Sequence, residues 1–264
     1  MHIMDYHHHT NHSFDSKASM KEVCTAAIEK GVKEICFTEH FSVNPLAPTF
    51  GHMNFNRYFT EINECQEQFG SQLIIKAGIE LCEPHLLKEK YESILTPLHL
   101  DFILGSVHNI DNLKLSTYLK QVPAGIAYQG YFEEVYKMVC TADIDVIAHL
   151  DLLKRYAVKT IGMYTFEEHK DVIEAILKKA IDRNIGIEIN TSGLRGHLQQ
   201  SLPSMDVLSL YHQLGGEILT LGSDSHFVKD VGANIEDASA MAKECGFTHV
   251  YKFENRIPKK IKLT

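Results

Sequence analysis

Side chains able to bind metal recur along the whole length of this chain. His7 and His9 stand near its start, Asp224 and His226 near its end, and His40, Glu80, His108 and His149 between them. Imidazole nitrogens mixed with carboxylate oxygens hold divalent transition ions such as Zn, Mn, Fe or Co. A carboxylate has two oxygens and can bridge two ions, which a neutral imidazole cannot do, so Glu80 is the candidate bridge. If these groups meet, the chemistry they predict is metal-dependent hydrolysis.

For them to meet, the elements carrying them must converge. Short β-branched runs alternate with amphipathic segments. The predicted strands are 3–9, 34–38, 73–80, 102–108, 146–149, 185–190 and 218–223, and six of the seven lead into one of the groups above. Helical periodicity covers 19–30, 56–69, 84–95, 125–140, 165–183, 204–213 and 235–244. Thr165 followed by Glu168 reads as a capping box. Strict β-then-α alternation implies a parallel sheet with right-handed crossovers. Its expected form is α/β: a distorted (β/α)7 TIM-like barrel, with residues 1–264 as a single domain. An open doubly wound sheet is the alternative. It would gather its site at one switch point, whereas here the ligands sit on nearly every strand, at the carboxyl ends where barrel sites lie.

In an extended strand, residues i and i+2 share a face. His7 and His9 therefore point together, with His8 opposite, packed against a helix; Asp224 and His226 are expected to repeat that geometry. The connections 41–55 and 109–124 are expected to overhang the site. Val250–Phe253 reads as an extra strand, and Lys259-Lys260-Ile261-Lys262 as a solvated end. His2, His85, His99, His169, His212 and His249 read as solvated. His12, His52 and His197 fall in loops on the active face. Arg155 and Arg195 follow the fifth and sixth strands and offer planar bidentate cations for a phosphate dianion. Asp151 is a candidate for orienting a ligand or relaying a proton, and Glu83 for meeting a cationic substrate group.

The formal net charge of −8 disfavours a nucleic-acid partner. Six cysteines without a CxxC pair read as reduced thiols of a cytoplasmic protein. No apolar run approaches a membrane span, and 1–6 is too short and polar for a signal peptide. Neither CxxxxxR nor DxDxT occurs, so no covalent phosphoenzyme is expected.

Six motifs appear in a set order: Asp5-Tyr6-His7-His8-His9-Thr10, Phe37-Thr38-Glu39-His40, Gly78-Ile79-Glu80, Gly105-Ser106-Val107-His108, Ala148-His149-Leu150-Asp151 and Gly222-Ser223-Asp224-Ser225-His226. Together they resemble the polymerase and histidinol phosphatase (PHP) superfamily. Lys154-Arg155-Tyr156 and the stretch from Glu188 to Arg195 resemble its monofunctional histidinol-phosphatase branch. The resemblance implies two to three divalent ions. A first would take His7, His9, Glu80 and Asp224, a second Glu80, His108 and His149, and a third His40, His226 and Asp15, where some relatives carry His. Turnover is expected to depend on Glu80, Asp224 and His226. The implied activity is hydrolysis of a small phosphorylated substrate, L-histidinol phosphate, to L-histidinol and phosphate by a metal-bridged hydroxide, a step of histidine biosynthesis. The alternative is another PHP phosphoesterase, acting on nucleotides, other small phosphates or nucleic-acid ends. The oligomeric state is left open.

Overall fold

Seven parallel strands form one sheet that nearly closes on itself. The computed structural model describes residues 3–263; His2, expected to be solvated, lies outside them. In chain order the elements are β1 (Met4–His8), α1 (Met20–Glu29), β2 (Glu34–Phe41), α2 (Phe55–Phe69), β3 (Ile74–Cys82), α3 (Lys88–Leu95) and β4 (Phe102–Ser106). Next come β5 (Asn109–Ile110), β6 (Leu113–Lys114), α4 (Leu115–Gln121), α5 (Ala124–Thr141), β7 (Val146–Ile147), α6 (Leu153–Ala157), α7 (Phe166–Asp182) and β8 (Gly186–Asn190). The chain ends with α8 (Met205–Gln213), β9 (Leu219–Gly222), α9 (Ile235–Glu244), β10 (His249–Glu254) and β11 (Ile257–Lys262).

The sheet order is β1-β2-β3-β4-β7-β8-β9. Closure between β9 and β1 happens at the rim: His9 N donates to Ser225 O (2.9 Å) and Asp224 N to His7 O (2.8 Å). Gly222 allows that approach, because a Cβ there would stand 2.6 Å from His7 Cβ. The fold is the expected distorted (β/α)7 barrel.

β1 is not a regular strand. Its register with β2 shifts between Asp5 and His8, so side chains three apart share a face, and Asp5 pairs with His8 (2.7 Å) on the outside of the barrel. His8 thus faces away from His7 and His9, as expected, and lies beside Phe37. Tyr6 points into the barrel and closes its floor against Phe102. Below it, β10 and β11 form an antiparallel hairpin. The residues expected to be a solvated tail are therefore a strand with exposed side chains; Lys260 pairs with Glu217 at 2.7 Å. A strand needs only one partner to form, and β10 supplies it.

Helix starts follow local chemistry, though not always where expected. Ser19 and Glu22 form a capping box on α1. Thr165 caps α7 without a side-chain bond, because its own carbonyl takes the Glu168 N–H instead. The connection 109–124 is not an open loop but the β5–β6 hairpin and α4. Of the histidines read as solvated, His99 and His212 are exposed. His85 instead contacts Glu134 at 2.7 Å, and His169 packs among the rings of Tyr128, Phe132 and Tyr164. An imidazole buries readily once its polar tip is paired or its ring is stacked.

Candidate metal centre

His7, His9, His40, Glu80, His108, His149, Asp224 and His226 converge at the carboxyl-terminal rim, and Asp15 joins them. His7, His9, Glu80, His149 and Asp224 are buried. They stand at strand ends or just past them, and two occupy the left-handed region: His149 with φ 26° and Asp224 with φ 52°. Asp224 and His226 therefore come together through a turn beyond β9, not along a strand as expected. Such backbone is costly for non-glycine residues and is kept where the side chain must aim at one point.

Four ligand atoms form a cage. His7 Nε2 and His9 Nε2 are 3.0 Å apart. Glu80 Oε2 is 3.4 and 3.5 Å from them, and Asp224 Oδ1 is 3.7 and 3.4 Å from them. The edges of a tetrahedron around an ion with bonds of about 2.0–2.1 Å are about 3.3–3.4 Å. At this distance either a proton or a metal ion must stand between the two nitrogens, whose lone pairs would otherwise repel. Glu80 Oε2 is buried and also meets His40 Nδ1 at 2.8 Å, so imidazoles ring this carboxylate.

The other Glu80 oxygen serves a second group. Oε1 is 2.9 Å from His149 Nε2 and 3.5 Å from His108 Nε2. A third group lies at the lip, where Asp15 Oδ2 is 3.5 Å from His40 Nε2 and 3.4 Å from His226 Nε2. The donor set thus fits divalent ions, with Glu80 between the first two groups.

Outer contacts fix which nitrogen faces inward. His7 Nδ1 meets Glu188 Oε1 at 2.7 Å. His9 Nδ1 donates to Ser13 Oγ (3.2 Å), which donates to Glu39 (2.6 Å). His108 Nδ1 donates to Ser106 Oγ, and His226 Nδ1 to Asp224 O. In each case Nε2 is left for the cluster. The sequence marks Glu188 only as the start of a stretch resembling one branch of the family, with no contact to the ligands expected of it. The signal was there: Glu188 and Asn190 alternate inward on a strand, and Glu188 also accepts from His149 N and Asn190 Nδ2.

The electrostatics follow from this crowding. Burial pushes Glu80 up, yet His40, His108 and His7 around it hold it well below the usual carboxylate range. Asp224 behaves likewise, with His7, His9 and Arg155 outweighing burial. Burial brings His108 down to about 3, with His149 and His40 adding to the effect. Burial also opposes charge on His7, but Glu188, Asp224 and Glu80 raise it well above an ordinary imidazole. Protons held there are ones that a cation would displace.

Several other expectations meet different surroundings. Arg155 reaches the site: its guanidinium contacts Asp224 Oδ2 at 3.1 Å and Ser192 Oγ. Arg195 does not line the cavity. It donates to Ser223 O (2.5 Å) and Thr191 Oγ1 (3.2 Å), behind the rim. Glu83 accepts from the backbone N–H groups of His108 and Asn109, so its charge is engaged within the protein. Asp151 faces away from the centre and pairs with buried Lys154 at 2.8 Å. His12 contacts Glu61, and His52 and His197 are exposed. A cavity of about 210 Å³ opens over the cluster. Its walls include Pro48 and Thr49 from one of the two connections expected to overhang the site, and Asn109, Lys114 and Ser116 from the other.

Residues 5–192 match the model of the PHP domain family. The chain belongs to the PHP family. A probable histidinol-phosphatase of Clostridium acetobutylicum is 34% identical over 263 residues, covering 97% of this chain and 99% of that protein. A histidinol-phosphatase of Lactococcus lactis is 30% identical, covering 95% and 94%. Among PHP structures, that of the Lactococcus lactis histidinol phosphate phosphatase, solved in complex with zinc, L-histidinol and phosphate, superposes with a TM-score of 0.90 at 28% identity. It covers 97% of this chain and 98% of that one. A putative histidinol phosphatase of Listeria monocytogenes shares the fold, with a TM-score of 0.75 at 20% identity.

Proposed function

We propose that this chain is a histidinol-phosphatase, a phosphoric monoester hydrolase converting L-histidinol phosphate to L-histidinol and phosphate within histidine biosynthesis. The observation that carries the reading is full-length likeness to an enzyme solved with zinc and both products, joined to a rim whose ligand atoms lie at metal-cage distances. In this reading the whole chain, 1–264, is one phosphoesterase barrel working in the cytoplasm. Free cysteines suit that compartment, and no helix among the described residues is long and apolar enough to cross a membrane.

Two to three divalent ions are proposed, zinc foremost, with manganese, iron or cobalt as alternatives. His7, His9, Glu80 and Asp224 would hold the first, Glu80, His108 and His149 the second, and His40, His226 and Asp15 the third. When bound, such ions lower the pKa of water to about 7 and offset charge on a phosphoryl group.

The chain's own residues do the rest. Glu80 keeps the first two groups of ligands at a fixed spacing through its two oxygens. Arg155 presents a guanidinium at the cavity wall, where a planar fork suits phosphate oxygens. Ser192 and Asp224 hold that fork in place. Arg195, expected as a second clamp, instead binds the Ser223 carbonyl and so sets the turn that aims Asp224. Walls from both overhanging connections limit the access of water to the bound ester.

The test is phosphate release by the metal-reconstituted protein from L-histidinol phosphate, nucleoside monophosphates and single-stranded DNA. The reading expects strong preference for the first. Equal or better turnover of a nucleotide or of DNA ends would replace it with another phosphoesterase activity.

A further inference from the structure

A thiol stands at the edge of the centre, outside all three ligand groups. Cys82 ends β3, two residues beyond Glu80, is 4% exposed, and lines the cavity. Its Sγ lies 4.0 Å from His40 Nδ1. Cys82, His40 and His108 each offer a ligand atom within 4.8 Å of the others. The same Nδ1 of His40 meets the buried Glu80 Oε2 at 2.8 Å. Two nitrogens and one sulfur thus lie close enough together to share an ion.

We propose that Cys82, His40 and His108 form a second, soft-metal position that competes with the working cluster. It rests on the histidinol-phosphatase reading only for its consequence, inhibition. The working cluster offers nitrogen and oxygen, whereas thiolate is soft and favours thiophilic ions such as cadmium. On binding, the thiol releases its proton to solvent as the sulfur–metal bond forms. His40 and His108 are then drawn from the groups they share with Asp15 and with Glu80. The position would make the enzyme sensitive to thiophilic ions.

The experiment is a titration of the manganese-reconstituted protein with cadmium, following the ultraviolet thiolate-to-cadmium charge-transfer band. The expected result is a band that saturates at one added equivalent in the wild type and is lost in both Cys82→Ser and Cys82→Ala. Histidinol phosphate turnover should fall in step with the band in the wild type and persist in the variants. Absence of the band from the wild type would overturn the proposal, and so would its persistence in folded variants. Because the band needs no turnover, it stays decisive even if another phosphate ester proves to be the substrate.

Discussion

The two ends of the barrel bury polar groups in opposite ways. At the floor such groups pair within the chain. Tyr6 OH donates to Glu34 (2.6 Å), Lys252 pairs with Glu34 (3.0 Å), and Arg256 joins Asp145 to Asp143. Aromatic rings of Tyr6, Phe102 and Phe253 fill the space between. Two residues with positive φ, Asn255 and Arg256, sit in a two-residue hairpin turn that calls for that conformation. At the rim, by contrast, imidazoles and carboxylates face one another around Glu80, and two ligands, His149 and Asp224, take positive φ. The floor is complete without help and stabilises the fold. In the proposed function, cations complete the rim.

This contrast can be broken by substitution. The largest effect is expected at the bridge. Glu80→Gln should reduce turnover to background and lower bound metal, measured by phosphate release and elemental analysis. Normal activity with normal metal content would remove Glu80 from its role. At the floor, Phe253→Ala should cost about 3–5 kcal/mol of stability in denaturant titrations and leave kcat/KM unchanged at low temperature. A floor variant that lost activity while folded would erase the distinction between the two ends. Glu188→Gln, behind His7, should lower metal affinity or activity about 10–100-fold, with KM little altered. Arg155→Ala should raise KM for a phosphorylated substrate about tenfold, the worth of one charge-assisted hydrogen bond. An unchanged KM would take it off the phosphate.

Much of the rim was legible in the sequence because ligand types are rare and strand ends are easy to find. His40, Glu80, His108 and His149 each follow an apolar run, and parallel alternation forces those ends together. What stayed hidden depends on contacts between distant segments. The register shift in β1 has no signature, yet it turns Tyr6 toward the floor and Asp5 toward His8. Glu188 looked vacant because its partners, His7 and His149, lie far off in sequence. Glu83 and Arg195 carry charges that suggest ligand contact, but backbone groups of neighbouring loops engage them first. The hairpin under the barrel was half seen: Val250–Phe253 has strand composition, while its lysine-rich partner reads as a tail until pairing is considered.

Anomalous diffraction from crystals grown with zinc tests the central claim most directly. The account predicts a peak on each side of the Glu80 carboxylate, one within bonding distance of His7, His9 and Asp224 and one beside His108 and His149, with a further peak near Asp15. A rim without peaks, its imidazoles turned from one another while zinc binds elsewhere on the surface, would contradict it.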